Sequence, residues 1–141
     1  MTDNIDTLAT PRANDPHARE VGPFVVLSGT SARQQDNAVS GVDGDRLGAM
    51  TLDVRVQGRA ILDQIVTVLR GLDLDIDIDM VDFVSMTTYL VNMNDFAGYN
   101  EVWNGDFPSG GPVKTTVEVR APSRADRALE MRAVACRGPK E

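Results

Sequence analysis

Cysteine, histidine and aromatic rings are scarce in this chain. Among 141 residues there is one cysteine, Cys136, and one histidine, His17, while Phe, Tyr and Trp together make up 5%. A single cysteine excludes an intrachain disulfide and a multi-cysteine zinc site. A single histidine excludes a histidine-rich metal centre within one chain. No apolar run approaches the length of a membrane span, and Met1 to Asn14 lacks the basic and apolar regions of a secretion signal. Positive charge is also in deficit: 14 Lys and Arg stand against 21 Asp and Glu, a formal net charge of −7. Nucleic acid and anionic membranes both require clustered cations, so neither is an expected partner. A cytoplasmic protein of one domain is the default expectation. Nucleophile-elbow, zinc-protease, P-loop and dinucleotide fingerprints are all missing.

What is present is an ordinary globular composition, with 42% apolar and 25% charged residues. The polar stretch 1–15 reads as a flexible N-terminal arm and 16–141 as a single domain. Phe24 to Ser28 is a β-branched run closed by Gly29. From Thr30 to Gly48 the chain turns polar and glycine-rich, a long loop of the kind that often carries function. Asp53 to Leu69 reads as a helix, because Val54, Ile61, Ile65, Val68 and Leu72 recur at helical spacing; Thr51 is the expected cap and Gly71 the stop. Gly58 inside it predicts a close packing contact. Phe83 to Val91 and Val113 to Val119 read as strands. Between them, Asn94 is placed to cap a helix from Asp95 to about Gly105, with Phe96, Tyr99 and Trp103 on one face. Ala128 to Cys136 is a strand with Leu129, Met131, Ala133 and Ala135 on one face and Glu130, Arg132, Val134 and Cys136 on the other. The order predicts an α+β domain, two helices on one face of a mixed sheet.

Candidate chemistry is sparse. Cys136 reads as a buried, inert thiol. The alternation Asp73, Asp75, Asp77, Asp79 suggests a calcium loop, but Ile78 and Val84 stand where such a loop needs glycine and a bidentate glutamate, so no metal site is assigned. Lys114 and Glu130 lie within strands otherwise rich in apolar residues. Each is a solvated-face residue on the plainest reading. On the sharper one they are a pair: a cation that holds an anionic substrate and a carboxylate that positions water.

Four blocks carry a family resemblance. They are Val26-Leu27-Ser28-Gly29, the stretch from Tyr89 to Trp103, Gly111-Pro112-Val113-Lys114-Thr115-Thr116-Val117-Glu118-Val119, and Leu129-Glu130-Met131-Arg132-Ala133-Val134-Ala135. From about Phe24 to Arg137 the sequence resembles the YjgF/Rid family of imine and enamine deaminases, and within it the 2-aminomuconate deaminases of aromatic and nitroaromatic catabolism. The resemblance implies a chorismate-mutase-like fold, a mixed six-stranded sheet with two helices on one face. It further implies a homotrimeric barrel, or a hexamer of paired trimers, with active sites between subunits. The implied reaction is hydrolysis of an enamine or its imine tautomer to a 2-keto acid and ammonia, without metal or organic cofactor. The substrate is expected to be an anionic small molecule, 2-aminomuconate or a chloro-substituted relative. A general 2-aminoacrylate deaminase and a non-catalytic, metabolite-binding or chaperone-like trimer are the alternatives.

Carried over residue by residue, the family's carboxylate-binding arginine falls on Lys114, and its water-positioning glutamate on Glu130. The serine of its Ser-Gly turn falls on Ser28, beside Gly29 and Thr30, and its helix asparagine on Asn100. The tyrosine of its N-terminal block falls on His17, a candidate to return a proton. Thr116 joins the substrate-binding set, and Arg33 or Arg19 is expected to hold a distal carboxylate. Lysine offers a point charge where the family arginine offers a planar fork, Arg132 replaces the second acid of the C-terminal block, and Thr30 replaces the usual glutamine.

Overall fold

The computed structural model describes residues 2–3, 8–11, 13, 15–72, 83–120 and 125–137. The Asp-rich alternation at 73–79 lies outside the described residues. Among the described residues, eight strands and two α-helices follow in the order β1 (Thr2–Asp3), β2 (Ala18–Val21), β3 (Phe24–Leu27), β4 (Val42–Gly44), β5 (Met50–Leu52), α1 (Val54–Gly71), β6 (Phe83–Leu90), α2 (Phe96–Asp106), β7 (Val113–Glu118) and β8 (Leu129–Cys136). Six strands form one mixed sheet in the order β1-β2-β3-β8-β6-β7. Among the described residues only β6 and β7 pair in parallel, and α2 is the crossover that such a pair requires.

The helical stripe of α1 is buried as its spacing predicts: Ile61 and Ile65 are fully buried, and Val54, Val68 and Leu72 nearly so. They pack on Leu129, Met131, Ala133 and Ala135 of β8 and on Met86 and Leu90 of β6 in one hydrophobic core. Both helices cover the same face of the sheet. The opposite face is open: Phe24 of β3, Val113 and Val117 of β7 stay exposed.

Several local expectations shift. The cap of α1 is Asp53 rather than Thr51; its carboxylate accepts from the Arg55 and Val56 amides. Asn92, not Asn94, caps the start of the second helical segment: its side chain accepts from the Asn94 amide and opens a 3-10 turn, Met93–Asp95, that leads into α2. At Gly58 an added Cβ would meet only Val102 at 3.9 Å, an ordinary contact. The tight helix crossing is at Gly98, where a Cβ would lie 3.0 Å from Val54 Cγ1 and from an Arg55 guanidinium nitrogen. The expected loop over 30–48 is partly structured, because β4 and β5 form a hairpin whose turn Asp45 closes by accepting from the Leu47 and Ala49 amides. Ala18–Val21, which carries too little apolar pattern to be read as a strand, pairs antiparallel with β3.

Candidate functional site

The turn after β3 and the start of β8 meet at one end of the two central strands of the sheet. There Thr30 and Met131 exchange backbone hydrogen bonds of 2.8 and 3.0 Å, which brings Gly29 beside Glu130. A Cβ at Gly29 would lie 3.5 Å from Oε2 of Glu130, so a side chain there would project at the carboxylate. A cavity of about 270 Å³ opens at this point. Its walls come from four places: Leu8, Ala9, Pro11, Ala13 and Asp15 to His17; Ser28 to Ser31 with Arg33; Gln64 and Val68 of α1; and Arg127 with Glu130.

The described part of the N-terminal stretch is therefore a wall of this cavity. Leu8 packs against the core, and Ala9 is buried. Polar contacts hold this segment in place, among them the Ser28 amide donating to the His17 carbonyl at 3.0 Å. Ser28 Oγ donates to the Pro16 carbonyl at 2.7 Å, and Arg33 Nη2 donates to the Thr10 carbonyl at 2.6 Å. His17 Nε2 lies 2.9 Å from the Ala9 carbonyl, and since a carbonyl only accepts, that nitrogen carries the proton. Thr2–Asp3 adds a short strand against β2.

Of the residues singled out in the sequence, Glu130, His17, Ser28, Gly29, Thr30 and Arg33 share this cavity. Lys114, Asn100, Thr116 and Arg19 do not line it. Arg19 is exposed on β2, opposite Val26. Arg127 Nη1 stands 3.5 Å from Oε1 of Glu130. Arg127 is 6% exposed and has no pattern around it that would have marked it: it lies just before the alternation of β8 begins.

Lys114 occupies a second setting. Residues paired across a ladder share a face. Lys114 pairs with Met86 and Thr116 with Thr88, both on the helix side. Glu130 pairs with Tyr89, which belongs to the alternate set. The two charges thus sit on opposite faces of one sheet. Beneath α2, Lys114 Nζ donates to Asn100 Oδ1 at 2.8 Å. Its ammonium lies 4.7 Å from the ring centre of Trp103, 4.9 Å from that of Tyr99 and 5.7 Å from that of Phe96. Burial in this setting pushes the lysine below its usual pKa. Burial likewise raises Tyr99, whose hydroxyl lies 2.5 Å from Thr88 Oγ1. Cys136 is part-buried rather than enclosed, on β8 opposite Phe24. Among the described residues no group of His, Cys, Asp and Glu is placed to hold a metal ion. No helix among them is long and apolar enough to cross a membrane.

The sequence profile described as endoribonuclease L-PSP matches residues 8–137. The chain belongs to that family, the YjgF/Rid family of the sequence resemblance. It is 28% identical over 134 residues to a RutC family protein of Pyrococcus abyssi, covering 93% of this chain and 94% of that one. Its fold is similar to RidA from the Antarctic bacterium Psychrobacter sp. PAMC 21119 (TM-score 0.77, 19% identity, 96% and 98% of the two chains covered). It is also similar to E. coli TdcF, solved with bound serine (TM-score 0.74, 20% identity, 98% and 99% covered). At these identities the two structures speak for the Rid fold alone. Six strands under two helices on one face agree with the sequence reading.

Proposed function

We propose that the chain is a cofactor-independent deaminase that hydrolyses carboxylate-bearing imines, in tautomeric exchange with enamines, to keto acids and ammonia. 2-Aminomuconate, or a chloro-substituted form of it, is the finer substrate reading. One observation carries the reaction class: Glu130 reaches a small-molecule-sized cavity beside a Ser28-Gly29-Thr30 turn that leaves its flank open. In the proposed step Glu130 accepts a proton from a water whose oxygen bonds to the imine carbon. The C=N electrons move to nitrogen, which is protonated. Collapse of the carbinolamine forms the ketone and breaks the C–N bond, and ammonia leaves. An imine carbon is already electrophilic, so one carboxylate is enough help. His17 directs its Nε2 proton to the Ala9 carbonyl, which favours Glu130 as the group that returns the proton.

Lys114 is the proposed anchor for the carboxylate next to the reacting carbon. It stands on the other face of the sheet from Glu130, so a site that uses both draws them from two copies of the chain. Exposed Phe24, Val113 and Val117 on the open face support such self-assembly. The family's endoribonuclease description finds no support in a net charge of −7. A metabolite-binding trimer without catalysis is the second reading, favoured by the enclosure of Lys114 among three rings and Asn100. Ammonia release from 2-aminomuconate and from 2-aminoacrylate separates the readings. Turnover that vanishes in Glu130→Gln supports the deaminase, and no turnover of either substrate removes it.

A further inference from the structure

We propose that Gln64 is a specificity-determining residue of the Glu130 cavity, whose side-chain amide donates to an oxygen on the side chain of the substrate. This rests on the deaminase reading and names the substrate class of that same site: imines whose side chain carries an oxygen acceptor rather than plain hydrocarbon. Gln64 lines the cavity from α1, as Glu130 does from β8. Its Nε2 is buried and has no hydrogen-bond partner. A buried donor without an acceptor forfeits the hydration it would have in water, a loss that an apolar side chain of similar size avoids. A polar amide kept there in spite of that loss calls for an acceptor that arrives from outside the chain.

A second glutamine on the same helix shows what a purely structural role looks like. Gln57 stands seven positions earlier, about two turns away and so on nearly the same face. It is fully buried, and both ends of its amide are matched. Nε2 donates to the Asp126 carbonyl at 3.0 Å, and Oε1 accepts from the Ala128 amide at 2.8 Å. That amide ties α1 to the turn before β8. The Gln64 donor ties α1 to nothing, and it belongs to a wall of the cavity.

Most other donors around the cavity are engaged within the fold. Ser28 Oγ donates to the Pro16 carbonyl and Thr30 Oγ1 to the Ser28 carbonyl. His17 is bonded to the Ala9 carbonyl, and Arg33 joins the Thr10 carbonyl to Asn37. Val68, one turn further along α1, and Leu8 give the cavity apolar surface. In such surroundings a hydrogen bond is stronger than in water, and a missing acceptor is felt more. The last torsion of a glutamine is broad, so the amide turns its N–H toward a ligand at little cost. Because the amide is neutral, it selects for an oxygen without requiring a charge on it.

The test uses two pairs of molecules whose members differ by one oxygen. For binding by calorimetry they are 4-oxopentanoate and pentanoate. For turnover they are the imines of methionine sulfoxide and methionine, each generated in place by an amino-acid oxidase. The wild-type chain should favour the oxygen-bearing member of each pair by roughly 3- to 10-fold, the worth of one hydrogen bond between neutral groups. Gln64→Met should bring each preference to within about twofold and leave the oxygen-free members unchanged. Its melting temperature without ligand should hold or rise, because the unmatched donor is gone. Equal losses on both members, or a fall in melting temperature, would make Gln64 a structural residue and overturn the proposal. A wild-type chain that binds 4-oxopentanoate no better than pentanoate overturns it without any variant. Preference in calorimetry with no turnover of either imine would keep the subsite and remove the deaminase.

Discussion

Glu130 and Lys114 are embedded in opposite ways. Around Glu130 the walls are assembled from four separate pieces of chain and leave a cavity. Around Lys114 the surroundings come from one helix, whose Phe96, Tyr99, Asn100 and Trp103 close over the ammonium. The first is a place where a ligand can enter, and the second holds a charge ready at a sheet edge. The difference teaches that residues which look like a pair along the sequence lie on opposite faces of the fold, and neither setting alone supplies both groups of the proposed reaction.

The hardest blow to this comparison comes from the carboxylate. Glu130→Gln is expected to lower ammonia release by roughly a thousandfold, within the range for a lost general base, with unchanged oligomer size in light scattering. Full activity would remove Glu130 from the chemistry. Lys114→Ala should cost about a hundredfold in kcat/KM through loss of a charged anchor. Mixing the two inactive variants under conditions of subunit exchange sharpens the point. If one site takes its lysine and its glutamate from different copies, the mixture regains part of the wild-type rate. A mixture as inactive as its components would mean that the two half-sites do not meet.

A smaller effect lies in the pH profile. Burial lowers Lys114 from its ordinary value, so its positive charge is lost as pH rises through a point below that of a free lysine. Substrate capture should therefore fall on the alkaline side before pH 10.5, the ordinary value. Lys114→Arg should extend the plateau upward, since arginine stays charged. Identical alkaline limbs in the two proteins would assign the fall to another group.

The smallest effects concern the helix pair that holds the lysine in place. Gly98→Ala should destabilise the chain by about 1–3 kcal/mol in urea unfolding, because its Cβ would press on Val54 and Arg55 at 3.0 Å. Gly58→Ala, with only Val102 at 3.9 Å, should stabilise it by up to about 1 kcal/mol. A reversed order would misplace the α1–α2 crossing.

Much of this fold could be read in advance, and the reasons are local. The stripe of α1 and the alternation of β8 repeat often enough to declare their period, and both are buried accordingly. β2 and the β4–β5 hairpin are only 4, 3 and 3 residues long, too short to show a period, and they are held by pairing with distant partners. Within the candidate site, the Ser28-Gly29 turn and Glu130 were legible because the family blocks carry them. That Lys114 and Glu130 point to opposite faces was not, because the relative phase of β7 and β8 is set by the registers of both with β6. Arg127 was also hidden, since its burial depends on the amide of Gln57, 69 and 71 positions away from the two groups it binds.

The segment from Leu8 to His17 has a practical side. Because it walls the cavity through Ser28, Arg33 and His17, an affinity tag fused at the N-terminus would be tethered through the same stretch of chain that walls the proposed active site. Turnover measured on such a fusion would mix the enzyme's properties with those of its handle, and removal of the tag belongs among the controls of every assay above.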